Sequence, residues 1–370
     1  MRGRRRGHPH PSWAARGRPP APAGGGGARV AAGPRAGRFL PPLGPAPRPA
    51  GLALAVGLGA AGWSPGSLAA FLQLVAALLI LALAWGYLVE PRWLKARAYR
   101  LRLDRPAGGQ PVSIPLPAPA PGAAGAAPNP APRAGEEPGT RPARLRLVHL
   151  TDLHAPVYRI AEGRLIRWIE AWQPDAVVFT GDLAEGKGLP AGRGVALLRR
   201  LARRWPVYLV PGNHDHLYGW YGLRRDLEAA GVQVLVNRGV QVGSGAAAIF
   251  LAGVDDPHTG RDDLAAALAG APPGLPVVLL AHAPADGIRQ EAARRGVALA
   301  LAGHTHGGQV RLPLVGALWI PGQGWFPTYD RGWFPVAGTW WYISTGLGTP
   351  RPWIRLLCRP EVVLLELVLP

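Results

Sequence analysis

From residue 144 onward the chain alternates short β-branched runs with amphipathic stretches. Apolar runs at 145–150, 176–180, 207–210, 232–236, 249–254, 277–281 and 298–302 predict strands. Stretches with helical spacing lie between them, near 162–172, 192–204, 219–230, 260–269 and 286–295. Three later runs, around 309–312, 340–344 and 362–368, predict strands with no helix between them. The pattern predicts an α/β domain over 143–370 whose last part is richer in strand. No internal repeat is visible.

A different texture stands upstream. Residues 68–88 read LAAFLQLVAALLILALAWGYL without one charge. At ~1.5 Å per residue such a helix is about 31 Å long, the thickness of a bilayer's hydrocarbon core. This predicts a transmembrane helix over 66–90, with Trp85 and Tyr87 at one interface and Pro91 closing the run. A buried core helix is the bland alternative, but soluble domains rarely stack six basic residues just beyond such a run. A cleaved signal ending near Ala96-Arg97-Ala98 has too long an apolar core and intervening charges. The stretch 51–63 is Gly/Ala-diluted and too short to span alone.

Composition divides the chain further. It holds 51 Gly and 42 Pro in 370 residues, concentrated in 1–50 and 106–142. The first segment, almost all Arg, Pro, Gly and Ala, is expected to be a disordered tail, and the second a semi-extended linker or insertion. Two sharper readings of the tail stay open. One is an arm for anionic lipid or nucleic acid. The other is translated upstream sequence before a non-AUG start near residue 50, since Met1 is the only methionine.

The net charge of +19 belongs mostly to the same N-terminal part. Residues 1–142 carry 18 Lys/Arg against 4 Asp/Glu, and the remainder 23 against 18. A nucleic-acid partner is therefore not expected for the domain. Arg92, Lys95, Arg97, Arg100, Arg102 and Arg105 follow the apolar run, whereas Arg48 is nearly alone before it. The positive-inside rule places the domain on the cytoplasmic side of a single-pass cell-membrane protein. The lone Cys358 excludes an intramolecular disulfide and a thiolate-rich metal site.

The chemistry sits where the predicted strands end. Asp152-Leu153-His154 follows the first, and in extended backbone positions i and i+2 point the same way. Gly181-Asp182 follows the second, and Gly212-Asn213-His214-Asp215 the third. His282 and Gly303-His304-Thr305-His306 close two more. Alone, each signal is more often structural than functional. Five in order, each at the carboxyl end of a strand, point to a site that gathers Asp, Asn and His for metal. His149, His216 and His258 lack such a context and read as packing or surface residues.

These motifs resemble the calcineurin-like metallophosphoesterase family over about residues 144–370. The run Gly307-Gly308-Gln309-Val310, the preceding span and its Glu90-Pro91 exit resemble a membrane-anchored bacterial subgroup. Thr151 stands where Ser is usual, and 108–142 looks like an insertion after the first strand beyond the membrane.

The resemblance implies a four-layer α-β-β-α sandwich with two mixed sheets. It implies that Asp152, His154 and His306 hold one metal, that Asn213, His282 and His304 hold a second, and that Asp182 bridges them. Mixed N/O ligands without sulfur fit Mn, Fe, Zn or Co. Two such ions suit hydrolysis of a phosphoester by metal-bound water. His214 would act over the substrate as the catalytic acid. Asp215 either orients that ring or caps a helix starting near Tyr218.

Arg311 has two readings, a phosphate contact or an ordinary strand arginine. The aromatic-rich stretch 318–342 is either packing or a wall that faces a pocket or lipid. The expected activity is phosphoester hydrolysis by a membrane-tethered enzyme, with a lipid-linked phosphodiester or pyrophosphate as one substrate class. A nuclease or nucleotide phosphodiesterase is the alternative, which would use the basic tail. A non-catalytic scaffold fits poorly with seven filled ligand positions.

Overall fold

The computed structural model describes residues 65–103, 110–116, 143–186 and 188–370. The expected tail at 1–50, the stretch 51–63 and most of the expected linker at 106–142 lie outside the described residues.

The charge-free run forms helix α1 (Pro65–Leu88), and a 3-10 turn over Glu90–Arg92 ends it at Pro91. The helix is long and apolar enough to cross a membrane, and its apolar window is not buried by the rest of the described chain. Next come β1 (Lys95–Arg102), β2 (Val112–Ser113), β3 (Arg144–Leu150), α2 (Glu162–Trp172), β4 (Ala176–Thr180), α3 (Gly192–Ala202) and β5 (Val207–Val210). Helix α4 (Asn213–Ala229) leads to β6 (Gln233–Val234), β7 (Arg238–Ser244) and β8 (Ala247–Gly253). The chain continues through α5 (Leu264–Leu268), β9 (Val277–Leu280), α6 (Asp286–Arg294) and β10 (Leu299–Ala302). Two small hairpins follow, β11 (Arg311–Leu312) with β12 (Gly316–Ala317) and β13 (Trp319–Ile320) with β14 (Gly324–Trp325). The last strands are β15 (Gly332–Val336), β16 (Thr339–Ile343) and β17 (Glu361–Val368).

Two mixed sheets result, ordered β2-β1-β17-β3-β4-β5-β6 and β15-β16-β10-β9-β8-β7. Their facing sides share one apolar layer, with Leu147, Val178 and Leu365 from one sheet against Leu251, Leu280 and Leu301 from the other. Helices α2, α3 and α4 cover the outside of the first sheet. Helices α5 and α6 cover the outside of the second. In α2 the buried Leu165, Ile169 and Trp172 recur at helical spacing, which is why that segment lies on the sheet. The expected four-layer sandwich is the observed one.

Several expectations shift. The first sheet reaches upstream of residue 143, because β1 pairs in parallel with the C-terminal β17 over eight residues. β17 in turn runs antiparallel to β3, so the chain's last strand lies inside the sheet. The basic residues of β1 are held by that partner. Lys95 and Arg97 lie 3.1 and 3.2 Å from the buried Glu361, and Arg100 pairs with Glu366. The edge strand β7, too polar to stand out, was not expected. The helix expected over 260–269 shortens to α5 because Asp263 caps it, accepting from the Ala266 amide at 2.9 Å.

Candidate metal centre

Strands β3, β4, β5, β9 and β10 are parallel neighbours within their sheets, or run alongside across the shared core, and all end on one side. The expected ligands follow those ends. The way they converge differs from the simple alternation of a strand. Asp152, His154, Asp182, His304 and His306 all have φ between 49° and 67°, the left-handed region that costs a non-glycine residue energy. The chain thus turns sharply after β3, β4 and β10 and throws these side chains inward. Two glycines make room. A Cβ on Gly212 would collide with the Asp182 carboxylate, and one on Gly303 with Asp152 and Thr151.

The donor atoms form two sets. Nε2 of His154 and Nε2 of His306 face each other 3.0 Å apart, with Asp152 Oδ1 3.4 Å from the latter. Asn213 Oδ1 stands 3.1 Å from both His282 Nε2 and His304 Nδ1, and those nitrogens are 3.2 Å apart. Asp182 Oδ2 lies between the sets, 3.3 Å from His282 Nε2 and 3.7 Å from His154 Nε2. Ligands bonded to one ion at about 2.0–2.2 Å stand roughly 3–3.5 Å from one another, so the spacing fits two ions sharing Asp182. Asp152, His154 and His306 also group as a possible metal cluster on geometry alone, as do Asp152, Asp182 and His282.

The electrostatics divide the donors, since burial favours the neutral form of some imidazoles while the buried carboxylates favour the charged form of others. Burial, helped by the neighbouring His282, pushes His304 down to about 3. Burial, with His154 and Arg355 beside it, holds His306 well below its ordinary value. Both imidazoles are therefore neutral, the form that binds metal. Burial disfavours charge on Asp182, but the imidazoles of His282 and His154 outweigh it and keep the carboxyl well below the usual range. The same Asp182 charge lifts His282 well above its ordinary value against the effect of burial. All of these groups except Asn213 and His304 are buried outright, and nothing in the apolar core explains such a concentration of polar atoms.

The surrounding contacts sort the remaining residues. His214 lines the cavity above the donors, and its Nδ1 donates to the Glu185 carbonyl at 2.5 Å, leaving Nε2 for proton transfer. Asp215 does not touch that ring. Its carboxylate accepts from the amides of Asp182 and Ala184 at 2.9 Å and of Gly212 at 3.0 Å. It sits in the first turn of α4, which begins at Asn213 rather than near Tyr218. Asp215 therefore braces two turns that carry candidate ligands, and its bond to the Gly212 amide also closes a capping box at the start of α4, five residues earlier than the expected helix start. Arg311 is paired with Asp330 Oδ2 at 2.6 Å and the Gly307 carbonyl at 2.8 Å, so it is occupied in the frame.

Two residues near the centre, Glu185 and Arg355, escaped the sequence reading, and a third, His258, was read as packing or surface. Glu185 Oε2 stands 2.8 Å from His154 Nδ1 and fixes that ring from behind. His258 stacks on His304 with ring centres 4.6 Å apart. It lies five residues beyond the end of β8, on the same side as the candidate ligands. The fully buried Arg355 has its guanidinium 3.4 Å from His306 Nδ1 and donates to the carbonyls of Thr345 (2.6 Å) and Cys358 (3.1 Å). No local pattern marks it. Of the histidines set aside, His149 is a core residue joined to Thr180 Oγ1 at 2.8 Å, and His216 pairs with Asp255 at 2.6 Å.

Comparison with known proteins gives the same direction. A family model described as calcineurin-like phosphoesterase matches residues 145–308. A Bacillus subtilis protein named uncharacterized metallophosphoesterase YkuE is 32% identical over 230 residues, covering 60% of this chain and 78% of its own length. The Escherichia coli protein named phosphodiesterase YaeI is 30% identical over 238 residues, covering 61% of this chain and 83% of its own. A Bos taurus protein named transmembrane protein with metallophosphoesterase domain is 35% identical over 185 residues. That match spans 45% of this chain and only 41% of the bovine one. Sheet order, donor geometry and these relatives agree that the chain belongs to the calcineurin-like phosphoesterase family of metal-dependent phosphoric ester hydrolases.

Proposed function

We propose that this chain is a membrane-tethered hydrolase of a lipid-linked phosphodiester or pyrophosphate, working with two metal ions. Asp152, His154 and His306 would hold one ion, Asn213, His282 and His304 the other, and Asp182 would join both. Ions so held supply Lewis-acid polarisation of phosphoryl oxygens and a water acidified for attack. The chain's own groups do the rest. His214, with Nδ1 engaged by the Glu185 carbonyl, presents Nε2 to protonate the leaving oxygen. Asp215 keeps the Asp182 and Asn213 turns in register through its three amide contacts.

The observation that carries the reading is the placement of Asp182 between two donor sets whose spacings suit metal. The lipid-linked substrate draws its support from the cavity. It measures about 930 Å³, with polar donors on its floor and Leu189, Leu217, Leu318, Trp319 and Trp325 in its walls. Such walls suit an apolar group attached to phosphate. The basic residues that follow α1 favour a cytoplasmic domain.

The test uses the full chain in detergent, stripped of metal and reloaded with Mn, Fe, Zn or Co in turn. Turnover of bis-p-nitrophenyl phosphate and p-nitrophenyl phosphate is then compared with that of a lipid phosphodiester. The expected result is metal-dependent turnover that disappears, with metal content, in Asp182→Ala. His214→Ala should keep its metal and lose about 10²–10⁴-fold in kcat. Metal-independent turnover, or full activity in both variants, would overturn the reading. Turnover of soluble esters with none of any lipid ester would leave the hydrolase and remove its lipid substrate.

A further inference from the structure

Just beyond the ligand His306, the chain makes two hairpins that expose apolar side chains instead of burying them. The first is β11–β12, whose tip carries Leu314 and Val315, with Leu312 at its base. The second is β13–β14, which brings Trp319 opposite Trp325 and then presents Phe326. Leu314 is as exposed as a side chain can be, at 102%, and Trp325 stands at 71%. Leu314 and Phe326 also hold left-handed backbone, with φ of 65° and 52°. Gly or Asn suits such positions, and a polar side chain suits an exposed turn. Large apolar groups here gain nothing from the fold itself. Contiguous exposed apolar residues of this size mark a surface that meets a partner or a membrane.

The occupant follows from what adjoins the patch. β11 is tied to the segment 355–357, since Arg311 N donates to the Leu356 carbonyl and Leu356 N to the Gln309 carbonyl, both at 2.9 Å. That same segment is tied to the end of α1. Arg355 N donates to the Gly86 carbonyl at 2.9 Å, and Glu90 accepts from the amides of Leu357 (2.9 Å) and Cys358. Arg159 adds a bond to the Tyr87 carbonyl at 2.6 Å and lies over the Tyr87 ring. The apolar helix therefore does not lead into a swinging tether. Its last turn is fastened to the loop that also carries the hairpins. A helix that enters the bilayer from this point sets the hairpins at the bilayer's surface, and Trp319 and Trp325 suit the headgroup level. Both tryptophans also wall the cavity mouth, beside the exposed Arg351.

We propose that the hairpin pair β11–β14 is a second membrane contact. Leu314, Val315, Trp325 and Phe326 insert shallowly into the leaflet at which α1 ends, so that the catalytic cavity opens along the lipid surface. The surface itself is the partner, whichever phosphoester is hydrolysed. The proposal goes beyond the function proposed above and survives the failure of any particular substrate.

The experiment uses the full chain, loaded with metal and reconstituted in nanodiscs of phosphatidylcholine with phosphatidylglycerol. Leu314→Cys and Phe326→Cys are each labelled with an environment-sensitive fluorophore, the native Cys358 being fully buried. Ser244→Cys serves as the control, because it lies at the β7–β8 turn, at the end of the sheet opposite the β8 terminus that faces the site. Nitroxide-bearing lipids are then added as quenchers. The expected result is blue-shifted emission at 314 and 326, quenched several-fold more by shallow nitroxides than at 244. Emission and quenching at both positions equal to those at 244 would overturn the proposal. A blue shift that shallow nitroxides leave untouched and dilution abolishes would also overturn it, by showing a second copy of the chain on the patch. Two label positions guard against one being disturbed by the substitution, and the readout requires no turnover.

Discussion

The strand ends around Asp182 and the hairpins after His306 invert the usual arrangement of a folded chain in opposite senses. At the strand ends, carboxylates and imidazoles are buried together and five of them sit in left-handed backbone. At the hairpins, leucine, tryptophan and phenylalanine stand in solvent. A chain selected only for stability would exchange the two, since buried polar groups and exposed apolar ones each forgo favourable free energy. The two inversions differ in what holds them. The strand ends are over-determined by two sheets, by Asp215 across three amides and by glycines that leave no room for a Cβ. The hairpins rest on short two-residue strands. One region is therefore costly to alter within the fold, and the other is costly only where its partner is present.

The sharpest way to separate them is Arg355, whose side chain backs His306 in the first region and whose amide holds the end of α1 beside the second. Its guanidinium serves the carbonyls of Thr345, Gly348 and Cys358 and Thr349 Oγ1, and its amide holds Gly86. Arg355→Ala would strand those acceptors in a buried site, at a cost of about 3–5 kcal/mol. The expected outcome is a large fall in the denaturation midpoint, with metal lost at lower chelator concentration because His306 loses its backing. A midpoint within 1 °C of the parent would show that the loop 346–358 does not depend on it.

How much of this could be seen in the chain itself follows the reach of each interaction. The candidate ligands stood out in the sequence because several potential donors crowd into four-residue turns such as Gly212-Asn213-His214-Asp215. The core strands were legible because they are continuous apolar runs, and their arrangement as a sandwich followed from the family resemblance. β1 was expected only from the family resemblance, since Lys-Ala-Arg-Ala-Tyr-Arg by itself reads as a basic flank until Glu361 and Glu366, more than 260 residues away, take up its charges. Arg355 and Glu185 were hidden for the same reason, as each acts through a residue distant in sequence. The bracing role of Asp215 was hidden because two of its three partners are backbone amides of another turn, which no side-chain pattern announces.

A smaller effect is expected from His149, the buried histidine that the metal centre does not use. Burial pushes its imidazole down to about 3 from an ordinary value near 6.5, against a weak opposing pull from Glu361. Between these limits the unfolded chain binds a proton that the folded chain refuses. Stability therefore falls as pH drops from about 6.5 towards 3, by ~1.4 kcal/mol per pH unit from this group alone. Above 6.5 the group has no such effect. His149→Gln can still meet Thr180 Oγ1 and should remove one proton from the slope. Denaturant unfolding at pH 7, 6 and 5 measures it. Parallel pH profiles for parent and variant would mean that His149 is protonated in the fold.

The smallest effect on stability should come from the region that breaks the polarity rule most openly. Trp325 is 71% exposed and its strand partner Trp319 is 49% exposed, so neither contributes much to the apolar core. Trp325→Ser in detergent should shift unfolding free energy by under about 0.5 kcal/mol, as surface changes away from special features do. Among the described residues no strand-end histidine is exposed to that degree, which is what makes the contrast testable. If Trp325→Ser instead destabilised the detergent-solubilised chain by about 2 kcal/mol or more, the aromatic hairpins would be folding elements, and their exposure would need no membrane to explain it. If stability holds but the variant's activity falls only after reconstitution into lipid, the two inversions have separate causes. The buried polar cluster would then answer to metal, and the exposed apolar one to the bilayer.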